Sequence, residues 1–125
     1  VGDNDSEGLV AYAKANVLFT SGVSLEWVLP KCCCAMITGG SGVFGSCMHA
    51  GVPILVSPAE GDDSHYAGLV TALGTGKGTA GLVALEQSEL RASLKFVATD
   101  GTVAGKVKEA QKTVGQELGV AGAML

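Results

Sequence analysis

The run from Met36 to Asp63 limits what this chain can fold into more than any other stretch. It reads Met-Ile-Thr-Gly-Gly-Ser-Gly-Val-Phe-Gly-Ser-Cys-Met-His-Ala-Gly-Val-Pro-Ile-Leu-Val-Ser-Pro-Ala-Glu-Gly-Asp-Asp. The pattern is a short apolar strand, a glycine-rich turn and a helix that ends at Gly51. A second apolar strand follows at Pro53 to Val56, then a turn closing on two carboxylates. Gly39, Gly40 and Gly42 leave the backbone bare at the start of the helix. The first N–H groups of a helix lack partners within it and lie at the positive end of its dipole. Such a turn suits an anion, and a phosphate or diphosphate is its natural occupant. The plainer alternative is a tight strand-to-helix turn with no ligand.

The acidic turn Pro58-Ala59-Glu60-Gly61-Asp62-Asp63 comes directly after the second strand. In an open α/β sheet, loops at the carboxyl ends of neighbouring strands face one crevice. Amides for phosphate and carboxylates for hydroxyls would meet there, as a ligand with both phosphate and sugar requires. The carboxylates have a plainer reading too, as N-caps of the next helix.

The rest of the composition fits this frame. The 125 residues suit one domain with a real core, and 47% hydrophobic against 16% charged residues excludes a disordered chain or a coiled coil. Small aliphatic residues and glycine dominate, as helices packed closely on a parallel sheet demand. A net charge of −4 with eight Lys and Arg offers no stripe for a nucleic-acid backbone. No apolar run reaches the roughly 18 residues of a membrane span, and no signal peptide is evident. The chain opens at Val1 rather than Met, which fits upstream sequence having been removed. Cys32, Cys33 and Cys34 match no zinc spacing and read as small apolar residues leading into a buried strand. A redox or metal role is the sharper alternative. Such unpaired cysteines suit a reducing compartment, hence the cytoplasm.

In chain order, Asp5 or Ser6 caps a helix through Ala15, with Leu9, Val10 and Tyr12 partly buried. Asn16 to Thr20 reads as a strand, and Ser24 to Leu29 as one helical turn stopped by Pro30. Cys34 to Thr38 is the strand that feeds the glycine turn. A helix from Asp62 to Leu73 ends at Gly74, and Gly74 to Gly81 holds at best a short edge strand. Two amphipathic helices close the chain, Glu86 to Ala98 and Thr102 to Leu118. Three or four strands between helices define an α/β Rossmann-like parallel sheet with flanking helices.

These residues resemble a family. Val23-Ser24-Leu25-Glu26-Trp27-Val28-Leu29-Pro30-Lys31-Cys32, then Thr38-Gly39-Gly40-Ser41-Gly42, then Ala50-Gly51-Val52-Pro53 and Pro58 through Asp62 follow one order. That order is similar to the C-terminal half of UDP-glycosyltransferases with the two-domain GT-B fold, in the sterol and antibiotic glucosyltransferase branch. The resemblance covers roughly Val17 to Leu118. It implies a single donor-binding domain over residues 1–125, half of a larger enzyme, that binds a nucleotide-diphosphate sugar such as a UDP-hexose. It implies no cofactor besides that donor substrate, and no metal. The partner would be an acceptor-binding N-terminal domain or subunit that supplies the catalytic base. This chain alone would then be inactive, and any peripheral membrane attachment would lie in the missing part.

Carried over by position, Thr38, Gly39, Gly40, Ser41, Gly42 and Val43 would lie along the diphosphate. Val23 and Leu25 would border the base, and Asp62 and Asp63 the sugar hydroxyls. Four positions depart from the family pattern. Thr38 replaces a His, Val43 a Thr or Ser, Leu25 a His or Gln, and Asp63 a Gln. Each lost buried bond would cost about 1–3 kcal/mol of donor binding, which keeps open a degenerate interaction domain of the same fold. Among the remaining residues, Trp27 reads as a packing anchor and His49 as a residue near its helix C-terminus. His65 lies close to the supposed site, and Lys106, Lys108 and Lys112 form a solvated helix face.

Overall fold

A computed structural model describes residues 6–60, 63–117, 119 and 122. Nine elements follow in order: α1 (Ser6–Asn16), α2 (Leu25–Val28), β1 (Ala35–Ile37), α3 (Ser41–Ala50), β2 (Ile54–Val56), α4 (Asp63–Leu73), β3 (Gly76–Gly78), α5 (Gln87–Thr99) and α6 (Gly101–Gly115). Two 3₁₀ turns, Leu29–Lys31 and Leu82–Ala84, complete the described elements. The strands form one parallel sheet in the order β1-β2-β3. Ala35 pairs with Ile54 and Ile37 with Val56, while Ile54 pairs with Gly76 and Val56 with Gly78. This is the α/β arrangement that the alternation of strands and helices predicts.

The central strand explains why the sheet holds. Ile54, Leu55 and Val56 are all fully buried, as expected of a parallel strand covered on both faces. Ile54 and Val56 join Leu29, Cys47, Met48, Val52 and Val70 in the main apolar cluster. Leu55 between them faces the other side, as the two-residue period of a strand requires. Phe44, Tyr66, Ala110 and Val114 pack around the cluster and draw in α3, α4 and α6. The amphipathic pattern of the last two helices is realised: Val97 on α5 and Val103 and Val107 on α6 are buried. Asp100 caps α6 by accepting a 3.0 Å bond from the Val103 N–H. Gly51 closes α3 in the left-handed region at φ 68°.

Several expectations fail for physical reasons. Asn16 to Thr20 is not a strand. A strand needs a ladder partner, and this segment finds none among the described residues, so Leu18 and Phe19 stand 88% and 80% exposed. Leu9, Val10 and Tyr12 are exposed rather than partly buried, because no other element covers α1. Pro30 does not stop the chain's turning; it sits in the first positions of a 3₁₀ turn, where a missing N–H costs nothing. Cys32 and Cys33 lie exposed ahead of β1 and only Cys34 is half-buried, since the strand starts at Ala35. Trp27 is exposed, with the Lys31 ammonium 4.2 Å above its ring, so it anchors no core.

Candidate functional site at the carboxyl ends of the strands

The glycine turn leaves β1 at Ile37 and enters α3 at Ser41. Gly39 and Gly40 take φ values of 139° and 96°, which side chains with a Cβ rarely adopt. Gly40 occupies the N-cap position, and no side chain caps the helix there. The Gly40 carbonyl accepts from the Phe44 N–H at 3.1 Å. The N–H groups of Ser41, Gly42 and Val43 precede the first helical bond and have no partner within α3. Ser41, Gly42 and Val43 are exposed, so those donors face open space at the positive end of a ten-residue helix. Thr38 is exposed beside them. None of Thr38 through Val43 is charged, so attraction for an anion rests on amides and the dipole.

The second loop is built more rigidly. The Ser57 N–H donates to the Ile37 carbonyl at 2.9 Å, and the Leu82 N–H donates to the Pro58 carbonyl at 2.7 Å. The Thr79 hydroxyl donates to Ser57 Oγ at 2.8 Å. Asp63 then holds the loop from its far side, with Oδ2 accepting from the Ala59 and Glu60 N–H groups at 3.3 Å each. Its carboxylate also lies in the first turn of α4, where the helix dipole favours it.

The two loops touch. A Cβ added to Gly39 would lie 2.7 Å from Asp63 Oδ1 and 2.9 Å from the Asp63 Cα. No side chain fits between them, and this explains the glycine. Farther back, Phe44 on α3 and Tyr66 on α4 meet with ring centroids 5.3 Å apart, and His65 lies edge-on to Tyr66 at 5.4 Å. That aromatic clip fixes the two helices whose N-termini carry the loops. Sequence reasoning missed it, although Phe44 and Tyr66 each fall four or fewer residues into a helix that follows a site loop.

The other expected positions are distributed as follows. Val23 and Leu25 are each 37% exposed, in α2 and the segment before it. Asp62 lies outside the described residues. A groove of about 580 Å³ runs along the flank of α3 and is lined by Glu26, Pro30, Gly42, Ser46, His49 and Gln111 among others. It shares only Gly42 with the glycine turn, so the turn and Asp63 form a separate, shallower feature. His49 is exposed in the last turn of α3, and its carbonyl accepts from Gln111 Nε2 at 3.0 Å. The lysine face on α6 is solvated as expected, with Lys106 3.7 Å from Glu109. Burial pushes the Cys47 thiol up to about 11, with Cys32 adding to the effect. Burial also raises Cys34, helped by the neighbouring Cys33 and Cys32 thiols. Among the described residues no group of three or more His, Cys, Asp or Glu side chains could hold a metal. No helix of the described residues is long and apolar enough to cross a membrane.

Comparison with known proteins places this geometry. No family model matches the chain. The sterol 3-beta-glucosyltransferase of Debaryomyces hansenii is 32% identical over 108 residues, which are 86% of this chain and 7% of that protein. The same enzyme of Eremothecium gossypii is 34% identical over 110 residues, 87% of this chain and 9% of the relative. The chain thus spans under a tenth of the length of these relatives. Among solved structures, the spinosyn forosaminyltransferase SpnP superposes with a TM-score of 0.75 at 20% identity, over 81% of this chain and 27% of that one. The glycosyltransferase VinC, solved in complex with dTDP, superposes with a TM-score of 0.71 at 22% identity, over 89% and 28%.

The three parallel strands with their flanking helices are therefore a portion of the glycosyltransferase fold of the GT-B class. More narrowly, the chain belongs with the UDP-glycosyltransferases of the sterol glucosyltransferase-like branch and corresponds to part of their C-terminal domain.

Proposed function

We propose that this chain binds the diphosphate of a nucleotide sugar, a UDP-hexose, for transfer to an acceptor held by a separate N-terminal domain in the cytoplasm. The observation that carries the reading is the meeting of the uncapped α3 N-terminus with the Asp63 loop at the carboxyl ends of β1 and β2. Amides of Ser41 to Val43 would face the diphosphate, Thr38 would donate one hydroxyl bond, and Asp62 and Asp63 would face sugar hydroxyls. Val23 and Leu25 would border the base. In transfer, charge grows on the departing diphosphate, and prealigned amides at a helix N-terminus stabilise it without reorganising. The base that activates the acceptor belongs to the other domain on this reading. That the nearby fold of VinC was solved with dTDP supports a nucleoside diphosphate as the ligand class.

Titration calorimetry of this chain with UDP-glucose, UDP and GDP tests the proposal. Uridine ligands should bind more tightly than GDP, and equal or absent heats would reject it. A second reading, a non-catalytic interaction domain, is favoured by one observation. Val43 places an apolar side chain, 38% exposed, at the helix start, where a hydroxyl would serve a phosphate. Restoring Val43→Thr should leave binding level in a working donor site and raise it in an eroded one.

A further inference from the structure

The end of the sheet opposite the site carries a feature that glycosyl transfer does not use. Cys32 and Cys33 are exposed, Cys34 is half-buried and Cys47 is buried. Cys32 terminates the 3₁₀ turn in extended conformation, at φ −95° and ψ 146°. Its N–H donates to the Leu29 carbonyl at 3.0 Å, and its thiol to the Val28 carbonyl at 3.4 Å. The backbone of this corner is therefore fixed. Cys32 and Cys33 both line a groove of about 260 Å³ whose wall includes Pro53, Asp100, Gly101, Ala104 and Lys108. Gly101 and Ala104 leave room for a substituent. Lys108 brings a cation that favours thiolate sulfur, while the Asp100 carboxylate is engaged by the Val103 N–H.

Two adjacent thiols in one groove have a definite chemistry. The peptide joining them is trans, which sets their Cα atoms about 3.8 Å apart. An unstrained disulfide wants roughly 4.4–6.8 Å, so the pair is disfavoured from closing on itself. Both sulfurs stay available to one external centre. With no third ligating side chain grouped there among the described residues, a four-coordinate metal such as zinc is poorly served.

We propose that Cys32 and Cys33 form a bidentate thiol site for a soft thiophilic centre of the trivalent arsenical class. An organoarsenic(III) oxide supplies the balanced step. Two As–S bonds form, the arsenic oxygen leaves as water with the two thiol protons, and arsenic keeps its oxidation state. The organic substituent rests over Gly101 and Ala104. The groove is separate from the turn at Thr38–Val43, so occupancy leaves that turn free.

Intact-mass analysis of the full chain with phenylarsine oxide tests the site. One adduct should form, survive an excess of 2-mercaptoethanol and be removed by dithiothreitol, because a chelate resists monothiols. Cys32→Ser and Cys33→Ser should each lose the monothiol-resistant adduct, and Cys34→Ser should keep it. The proposal is overturned if wild-type chain with titratable thiols forms no resistant adduct. It is equally overturned if the adduct survives either of the first two substitutions or disappears in Cys34→Ser.

Discussion

Gly39 and Asp63 come from two loops that leave adjacent parallel strands, and they meet so closely that a single Cβ would collide. That atom would lie 2.7 Å from the Asp63 carboxylate and 2.9 Å from its Cα. Backbone amides at a helix start and a carboxylate at the next helix start therefore share one corner. The proposed donor site depends on this contact, and most predictions concern it.

Gly39→Ala should do damage in two ways. Its φ of 139° is strained for alanine, and the added methyl meets backbone as well as side chain. A loss of about 1–3 kcal/mol is expected, read by chemical denaturation. Any UDP-dependent response should vanish in the fraction that remains folded. Unchanged stability would mean that the two loops are not in contact.

Asp63 holds the Ala59 and Glu60 amides, so its two obvious substitutions should separate charge from structure. Asp63→Ala removes the acceptor and should speed amide exchange at Ala59 and Glu60. Asp63→Asn keeps an acceptor oxygen and removes a negative charge from beside the proposed diphosphate. It should protect those amides nearly as well as wild type and bind UDP as tightly or more tightly. Weaker UDP binding in Asp63→Asn would assign the carboxylate a direct role with sugar.

The core makes a sharper contrast. Ile54 is fully buried in the central strand, whereas Leu18 is 88% exposed. Ile54→Ala should cost about 2–5 kcal/mol, and Leu18→Ala less than about 0.5 kcal/mol. In the same experiment Ser93→Ala should be neutral or stabilising, because the Ser93 hydroxyl is buried without a partner.

Cys47 should couple stability to alkaline pH. Burial raises its thiol from the ordinary 9.0 to about 11 in the folded chain. Between those values the folded state binds the proton that the unfolded state releases, so stability falls as pH rises. The contribution is whole below pH 9.0 and lost as pH climbs to about 11. Denaturation curves of wild type and Cys47→Ala should therefore converge across that window. Parallel curves would show that Cys47 titrates normally.

The fold was legible where periodicity and composition agreed. Ile54-Leu55-Val56 could be read as a buried parallel strand because it is apolar without alternation, and Gly51 could be read as the end of α3. Val97, Val103 and Val107 followed from their helical spacing. Asn16 to Thr20 could not be read correctly, because its β-prone residues say nothing of whether a neighbouring strand exists to pair with. Cys32 and Cys33 misled for a related reason: a small apolar side chain ahead of a strand carries no mark of where the strand begins. At the site, the glycines and acidic turn were visible as motifs. The Gly39–Asp63 contact and the Phe44–Tyr66 clip were not, since both join residues more than twenty positions apart.

The central claim is that the Thr38–Val43 turn and Asp63 receive a uridine diphosphate sugar. An amide NMR titration of this chain with UDP, UDP-glucose and GDP tests it most directly. The account predicts saturable shifts concentrated at Thr38–Val43 and Asp63, stronger for the uridine ligands than for GDP. A folded sample whose Thr38–Val43 amides stay unmoved at millimolar UDP-glucose, or respond equally to GDP, would contradict it.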